Sequence, residues 1–422
     1  MMNRYILCLL HVDPRTGAGG LLKYVGEELA LCRARGISGV VVFPFRFRSH
    51  PRLDRWASRY WGVLRDGRWE GFHTADSLMA LMAKWQRKGT RLIEVQLHHL
   101  AAYRLADVED FLRRVPVLVR LFLHDFSTSC KSSHRFRNGD RFCGEEAPSA
   151  EKCNGCSCWD PEHLPNMRRI LLGLKGRLTV VAPSASAARI WRTTYPEFAE
   201  HLCIVPHWIA KSFGVETANV HEASPLHVGF AGAIARHKGW ETFEKLAADM
   251  MREKRPYQFY RFGTPAMLPD GIQNVDIRQE ISGTGQMTKA LRDMNVDIIV
   301  SWTLWPETYS YVLFECLQAG VMMVTNAGSG NIADVVHETG CGVVLDNEEH
   351  LLEYFRDEPR VRADLAAVRW RPHPLMMEPN AEIVDAFGEP PDVSLPPGRI
   401  HRAMRADGLY CVKRWKERRH EP

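Results

Sequence analysis

Short apolar runs alternate with longer amphipathic stretches along the chain as far as residue 356. The short runs are typical of strands buried in a parallel sheet, and apolar residues at helical spacing predict helices between them. Strands are predicted at residues 5–10, 40–43, 92–97, 117–123, 178–181, 202–205, 228–230, 258–262, 275–277, 298–300, 322–324 and 342–345. Helices are predicted at residues 21–32, 241–251, 287–294, 311–318, 332–336 and 351–355. This alternation indicates an α/β protein with mostly parallel sheets and helices on both faces.

A polar stretch at residues 214–224 divides the alternation into two units. A chain of 422 residues is long enough to bury two cores. We therefore predict two doubly wound domains, residues 1–213 and 214–370, that face a central cleft. Seven prolines between residues 371 and 398 disfavour a helix there, so the C-terminal segment 371–422 is predicted to begin with a linker or an extended wrap.

Charge is unevenly placed along the chain. The net charge of +5 is too small to indicate a nucleic-acid partner. Residues 399–422 hold eight Lys or Arg and three Asp or Glu, with Leu409, Tyr410, Val412 and Trp415 between them. Such a segment suits contact with an anionic membrane surface, where each basic residue contributes about 1 kcal/mol, and the alternative is a solvated terminal helix. The apolar run at the start of the chain is too short for a signal peptide or a membrane span, so a cytoplasmic location is predicted, with contact at the inner membrane face.

The segment 297–320 carries the most specific pattern. A buried strand ends before Pro306, and apolar residues recur at helical spacing after Ser310. Gly320 stands where a glycine stops a helix. Glu307 is therefore expected on a loop, and Glu315 about two turns into the helix.

A loop at the carboxyl end of a parallel strand is where ligands bind in α/β sheets, and the free N–H groups of the following helix attract anions. A diphosphate fits there. Glu307 is then expected to face the group attached to the phosphate, and Glu315 to accept hydrogen bonds from a ribose. The pattern therefore predicts a nucleotide-sugar site.

The run Pro306-Glu-Thr-Tyr-Ser-Tyr311, followed by Phe314-Glu-Cys-Leu-Gln-Ala-Gly320 and a glycine-rich stretch at 328–330, resembles the C-terminal signature of family 4 retaining glycosyltransferases. The resemblance implies the GT-B fold, in which two Rossmann-like domains face a cleft: an acceptor-side N-terminal domain and a donor-binding C-terminal domain. It implies that Glu307 orients the donor sugar, that Glu315 holds the ribose, and that catalysis needs no cofactor. It also implies that the helix start binds the diphosphate, through Thr308, Tyr309, Ser310 and Tyr311.

Two further stretches resemble donor-binding loops of this family. The first, Gly19-Gly20-Leu-Leu-Lys-Tyr24, follows the first strand. The alternative to a ligand-binding role is a tight turn between strand and helix. The second, Phe230-Ala-Gly-Ala-Ile-Ala-Arg-His-Lys-Gly239, matches the family's phosphate-binding lysine with Lys238, but Ala233 occupies the place of its arginine. Arg236 is the candidate substitute for that cation.

Histidines follow two predicted strands. His98 and His99 are expected to be structural, because most buried histidines are. His124 resembles the histidine that family members point at the donor sugar, so it is assigned a catalytic role, donating to an oxyanion or a sugar hydroxyl. Gly263, after another strand, is added to the donor site because the family approaches the nucleotide there with main chain.

A cysteine-rich insert occupies residues 126–160 and holds five of the 11 cysteines. A C-x2-C pair with two upstream cysteines can supply four thiolates to zinc, and cytosolic cysteine clusters favour metal over disulfides. The predicted ligands of a structural zinc are Cys130, Cys143, Cys153 and Cys156. Packed free thiols are the alternative. Basic residues of the same insert suit a phosphorylated acceptor or a solvated surface: Lys131, Arg135, Arg137 and Arg141.

Taken together, the resemblance implies an enzyme that moves a sugar from a nucleotide-diphosphate donor to a glycan or lipid-linked acceptor, with retention, in cell-surface polysaccharide synthesis. No nucleic-acid partner is expected. One rival hypothesis is a GT-B sugar-nucleotide epimerase, which acts without an acceptor. Another is a degenerate binding protein, which the replacement of an arginine by Ala233 favours.

Overall fold

The computed structural model describes residues 3–17, 19–47, 51–214, 225–277, 285–369 and 372–398, together with Ile400, Asp407 and Tyr410. The first part of the chain contains β1 (Arg4–Leu9), α1 (Gly20–Ala34), β2 (Ile37–Pro44), α2 (Pro51–Ala57), β3 (Trp61–Arg65), β4 (Arg68–His73), α3 (Ala75–Arg87), β5 (Arg91–Leu97), α4 (Leu105–Arg114), β6 (Leu118–Phe122), β7 (Phe136–Arg137), β8 (Arg141–Phe142), α5 (His163–Leu174), β9 (Leu178–Ala182), α6 (Ala185–Thr194), β10 (Leu202–Ile204) and β11 (Trp208–Gly214).

The second part contains β12 (Leu226–Ala231), α7 (Trp240–Arg252), β13 (Tyr257–Gly263), β14 (Ile272–Asp276), α8 (Gln286–Asp293), β15 (Ile298–Ser301), α9 (Tyr311–Ala319), β16 (Met322–Asn326), α10 (Asn331–Thr339), β17 (Gly342–Leu345), α11 (Glu348–Arg356), α12 (Glu358–Arg369), β18 (His373–Pro379) and α13 (Glu382–Asp385).

The N-terminal sheet has eight strands in the order β10-β9-β6-β5-β1-β2-β3-β4. Strands β1, β2, β5, β6, β9 and β10 are paired in parallel, as their apolar runs predict. Strands β3 and β4 form an antiparallel hairpin at the edge. The predicted strands do not include this hairpin, although its turn, Asp66-Gly67, is a typical hairpin signal.

The C-terminal sheet has six parallel strands in the order β14-β13-β12-β15-β16-β17. Both sheets are buried between hydrophobic layers on their two faces, which is why their strands are almost continuously apolar. Each sheet is therefore the centre of its own core.

The chain returns to the N-terminal sheet after the second one. Strands β11 and β18 form a two-stranded antiparallel ribbon, and the proline-rich region thus contains a strand and the one-turn helix α13 as well as extended chain. Ile383 packs into the N-terminal core, and the main-chain N–H of Leu395 donates to Gln86 Oε1 at 3.1 Å. Docking of this segment supplies apolar partners that a free linker lacks.

Most of the basic segment 399–422 lies outside the described residues, so its predicted membrane contact stays a prediction. Tyr410 belongs to the described residues. Its ring stacks on Trp69, with centroids 5.8 Å apart, and packs edge-on against Phe72. Tyr410 therefore packs against the N-terminal domain. None of the described helices is both long and apolar enough to span a bilayer.

Candidate functional site

Both sheets reverse their strand order at one point, and the loops at these points meet in the cleft. The N-terminal sheet reverses between β1 and β5, and the C-terminal sheet between β12 and β15. Ligands of open α/β sheets bind outside the carboxyl ends of strands at such a point. The loops after β12 and β15 span residues 232–239 and 302–310, and they carry Lys238 and Glu307. The topology therefore places the residues selected from the sequence at the expected binding position.

Helix α9 begins and ends where the sequence predicts. Ser310 is its N-cap, and the Ser310 hydroxyl oxygen accepts a hydrogen bond from the main-chain N–H of Leu313 at 3.3 Å. Gly320 closes the helix in the left-handed conformation, at φ 73°. Glu307 precedes the helix and Glu315 lies within it, and both are buried, with 6% and 8% of their surfaces exposed.

Glu307 forms an ion pair with Lys238. The Lys238 Nζ lies 2.6 Å from Glu307 Oε1, and the lysine side chain keeps a third of its surface exposed. The main chain of Glu307 is held from the other side, because its N–H donates to the carbonyl of Ser329 at 3.2 Å and its carbonyl accepts from Asn331 N–H at 2.9 Å. The carboxylate is thus rigidly placed while its cation partner remains accessible from the cleft.

Glu315 forms an ion pair with a residue of the other domain. Lys23, on α1, places Nζ 2.8 Å from Glu315 Oε1. The same ammonium lies over the rings of Trp208 and Tyr311, 4.3 and 4.5 Å from their centroids. Such cation–π contacts stabilise a desolvated charge. Lys23 lies just after Gly20, so the glycine loop and the start of α9 form one wall.

A second polar residue of α1 faces the same wall. Glu27 is one helical turn after Lys23, and its Oε2 accepts hydrogen bonds from Trp208 Nε1–H at 3.0 Å and from the Tyr311 hydroxyl at 3.2 Å. Burial raises the pKa of Glu27, and the hydrogen bond from Trp208 lowers it less strongly. The sequence-based predictions give Lys23 and Glu27 no role, although a lysine and a glutamate at i, i+4 on one helix are a usable signal.

Thr308 connects the two domains by hydrogen bonds. Its hydroxyl donates to the main-chain carbonyl of His124 at 2.6 Å, and its carbonyl accepts from the Ser184 hydroxyl at 2.7 Å. Ser184 also caps α6 by accepting from the N–H of Ala187. The main chain of His124 therefore lies against Thr308, the residue that follows Glu307.

Glycines allow the loops of the C-terminal domain to pack tightly. Gly239 adopts φ 80°, and a Cβ there would overlap the carbonyl of Trp302. A Cβ at Gly263 would lie 2.5 Å from the guanidinium of Arg261. Gly19, at φ 121°, and Gly20, against the ring of Tyr311, leave room for close backbone approach.

Two arginines of this region differ in their surroundings, and the candidate cation Arg236 does not lie beside Lys238 and Glu307 in this arrangement. Arg236 is exposed and pairs with Asp140 at 2.9 Å and with Glu241, so in this arrangement its charge is committed to carboxylates outside the Lys238–Glu307 pair. Arg261, which the sequence analysis missed, is buried and donates to the Gly232 carbonyl and to Asn274 Oδ1, both at 3.0 Å. An arginine inside an apolar strand was the signal. Arg261 thereby holds the loop at Gly232, next to Ala233.

The insert 126–160 has only two short strands and crosses to the C-terminal domain. His134 stacks on His237 with centroids 4.5 Å apart and meets Trp305 edge-on at the same distance. Burial lowers the pKa of His237 to about 4, so this stack is uncharged at neutral pH. The insert thus touches the two loops that carry Lys238 and Glu307.

The basic residues of the insert are mostly engaged. Arg135 is buried and donates to the carbonyls of Glu145 and Glu146, and Lys131 pairs with Asp160 at 2.5 Å. Arg137 donates to the carbonyl of Lys152. The expectation of an open basic surface is therefore wrong for Arg135, since this side chain supports the loop from within.

The four predicted zinc ligands lie near one another without forming a metal site in this arrangement. Burial, and to a lesser extent the neighbouring thiols of Cys143 and Cys153, raise the pKa of Cys130 to about 11. Cys156 likewise raises the pKa of Cys143, after burial. Among the described residues, no group of three or more His, Cys, Asp or Glu side chains is arranged to hold a metal ion. The zinc site therefore stays a prediction.

A cavity of about 460 Å³ opens beside His98 and Asp125 in the N-terminal domain. The loop after β5, the insert and α5 line it, and its walls include His99, Asp125 and Lys131. The main-chain N–H of Ala101 donates to His99 Nδ1 at 3.0 Å, so the ring proton is on Nε2, which faces Asp125 Oδ2 at 3.1 Å. The walls of the cavity thus contain both apolar and polar side chains, and the charged side chains among them already have partners.

No protein-family model and no curated protein sequence matches the chain. Solved structures do match it. The sucrose-phosphate synthase of Thermosynechococcus elongatus is 13% identical, with a TM-score of 0.55 and 98% of each chain covered. HepE of Anabaena, in complex with UDP-glucose, is 12% identical, with a TM-score of 0.54 over 87% of this chain and 93% of HepE. A glycosyltransferase of Rickettsia africae is 10% identical, with a TM-score of 0.51 and 100% of each chain covered.

The chain has the GT-B fold. The predicted pair of Rossmann-like domains around a cleft is thereby confirmed. At these identities the similarity establishes the fold alone, and the chemistry must be argued from the site.

Proposed function

We propose that this protein is a retaining glycosyltransferase that moves a sugar from a nucleotide-diphosphate donor to a glycan or lipid-linked acceptor. The observation that carries the proposal is the Lys238–Glu307 ion pair at the start of α9, at the switch point of a GT-B cleft. The Lys23–Glu315 pair supports it from the opposite domain. The resemblance to polysaccharide-building enzymes suggests the biological setting.

The donor diphosphate is expected to replace Glu307 as the ion-pair partner of Lys238. A diphosphate carries more negative charge than one carboxylate, and the amides at the start of α9 add partial positive charge. The exposed third of Lys238 shows that its ammonium is within reach of the cleft. Glu307, released from the lysine, then accepts hydrogen bonds from sugar hydroxyls.

Charge develops on the diphosphate as the sugar departs. Lys238 and the helix start stabilise that charge in a cleft whose walls exclude water, and this supplies the main catalytic effect. Attack by the acceptor from the face that the diphosphate leaves gives retention without a covalent nucleophile. The alternative mechanism has a covalent intermediate with Glu307 as the nucleophile, because Glu307 lies in the loop that leads to the start of α9. Glu315, kept paired by Lys23, is placed to accept from the ribose hydroxyls.

The acceptor is proposed to enter the cavity beside His98 and Asp125. Its volume of about 460 Å³ suits a sugar unit with an apolar attachment. Paired charges in its walls, such as Lys131–Asp160, favour a hydroxyl-rich group over a strongly ionised one. The insert forms one wall, which gives it an acceptor-side role.

The first experiment is a screen of nucleotide sugars for nucleoside diphosphate release, beginning with UDP-glucose because HepE binds it. Lys238→Met and Glu307→Gln are each expected to lower transfer by about 10²-fold or more, since each removes stabilisation of the transition state. Lys245→Met, at an exposed position on α7, is the matched control and should retain full activity. Anomeric analysis of the product by NMR tests retention.

The same screen separates the rival functions. An epimerase converts the donor without an acceptor, so an altered sugar nucleotide in an acceptor-free reaction would replace the proposal. A degenerate binding protein retains nucleotide affinity without turnover. Unchanged complementation by Glu307→Gln, with donor binding preserved, would make catalysis the wrong interpretation.

The cysteine-rich insert is proposed to hold a structural zinc. With little secondary structure of its own, it gains stability from a cross-link more than a packed segment does. Because no three of its ligating side chains converge here, Cys130, Cys143, Cys153 and Cys156 must turn towards one another on binding. Elemental analysis of freshly purified protein is expected to give one zinc per chain, and less than about half would leave packed thiols as the better description.

A further inference from the structure

Three side chains of the N-terminal domain form a continuous hydrogen-bonded series that ends in the cleft. We call Gln96, His98 and His124 the buried polar chain. Gln96 lies on β5 and His98 two residues later, so both point to the same side of the sheet. His98 Nε2 lies 3.1 Å from Gln96 Oε1, and His98 Nδ1 lies 3.0 Å from His124 Nε2.

The orientation of the Gln96 amide is determined by its other partners. Its nitrogen donates to Glu28 Oε1 at 2.7 Å and to Glu94 Oε1 at 2.9 Å. Its oxygen accepts from the Cys8 thiol at 3.1 Å. An amide turned the other way would direct its nitrogen at the Cys8 thiol, which is a donor, and its oxygen at Glu94, whose other oxygen lies 3.3 Å from Arg120 Nη1, so the amide oxygen is assigned to the side of His98.

Both histidine rings are neutral and therefore carry one proton each. Burial lowers the pKa of His98 to about 3, and burial is also the largest cause that lowers the pKa of His124 well below its usual range. Gln96 Oε1 can only accept, so the His98 proton is on Nε2 and Nδ1 has the lone pair. His124 must then donate to it through Nε2–H.

Packing holds the ring of His124 in this position. Phe122 stacks on it with an interplanar angle of 11°, and the rings of Tyr24 and His207 lie 5.2 and 5.5 Å from it. His124 is half-buried, and its Nδ1 makes no hydrogen bond with any residue in the described part of the chain. The main chain of His124 bonds to Thr308, beside Glu307.

We infer that Gln96 and His98 are positioning residues that hold His124 in its Nε2–H tautomer, so that its Nδ1 presents a hydrogen-bond acceptor to the cleft. The expectation that His124 donates to an oxyanion is thereby replaced. An ionised diphosphate has no proton to give, whereas a sugar hydroxyl does. His124 therefore selects a hydroxyl, and the charge of the diphosphate is left to Lys238. The tautomer of His124 is independent of the proposed function. Only the assignment of the hydroxyl to a sugar rests on that function.

The test is nitrogen-15 NMR of the full chain labelled at histidine, which distinguishes a protonated from an unprotonated ring nitrogen. The His124 signal is assigned by its loss in His124→Gln. At pH 7 the wild type is expected to show His124 protonated at Nε2 alone, with Nδ1 bare. A His124 protonated at Nδ1, or at both nitrogens, would overturn the inference.

Two variants at His98 test the positioning role. His98→Asn can place its side-chain oxygen where Nδ1 was and is expected to preserve the His124 tautomer. His98→Leu removes the acceptor, and His124 is expected to become a mixture of tautomers. A pure Nε2–H tautomer in His98→Leu would show that His98 does not direct His124. These readouts need no substrate, so the tautomer assignment and the proposed transferase activity fail or succeed separately.

Discussion

The ion pair between Lys23 and Glu315 is the interdomain contact whose loss has the most calculable effect. At 2.8 Å the gross attraction of two unit charges is about 6 kcal/mol at an effective dielectric constant of about 20, and desolvation offsets much of it. Their side chains are only 20% and 10% exposed, so removing one partner leaves the other charge buried. Lys23→Met is therefore expected to lower the free energy of unfolding by about 3–5 kcal/mol.

The assay is equilibrium urea unfolding of Lys23→Met, Glu315→Gln and the double variant. The double variant should lose clearly less than the two single losses added together, because it leaves no charge unpaired. Lys211→Met is the matched control, since its ion pair with Glu378 is exposed and such pairs contribute about 1 kcal/mol or less. If Lys23→Met costs no more than Lys211→Met, or if the two single losses simply add, the pair does not stabilise the closed domains as argued.

Two further predictions concern the site loops and the buried carboxylates. Gly239→Ala should abolish nucleoside diphosphate release, because the added Cβ collides with the main chain of Trp302 and displaces Lys238. The control is Gly36→Ala, at a similar positive φ with open space around it, which should lose stability and keep activity. Burial raises the pKa of Glu28 from 4.5 to about 8, so the folded state retains a proton that the unfolded state releases, and stability should fall as pH rises towards 8. Between pH 6.5 and 8, above the range in which His98 opposes this trend, urea midpoints of Glu28→Gln should fall less steeply than those of the wild type, and equal slopes would contradict the assignment.

Local signals were sufficient for the elements that position the donor side. Ser310 and Gly320 define the ends of α9 through hydrogen bonding and backbone conformation that depend on neighbours in sequence. The apolar runs identified the strands of both sheets, since a strand buried on two faces has no polar alternation. The edge hairpin β3–β4 and the one-turn helix α13 escaped, because short elements depend on what they pack against.

The sequence by itself therefore determined the two-domain α/β architecture and the placement of Lys238 and Glu307 on loops that follow strands. Only the tertiary structure decided which charges meet. Lys23 and Glu315 are 292 residues apart, and Arg236 pairs with the insert instead of joining Lys238. Likewise, the tautomer proposed for His124 depends on His98, which lies within hydrogen-bonding distance of it, and on Gln96 behind His98. Secondary structure depends on local periodicity, whereas the protonation and pairing of side chains depend on what folding brings within about 3 Å.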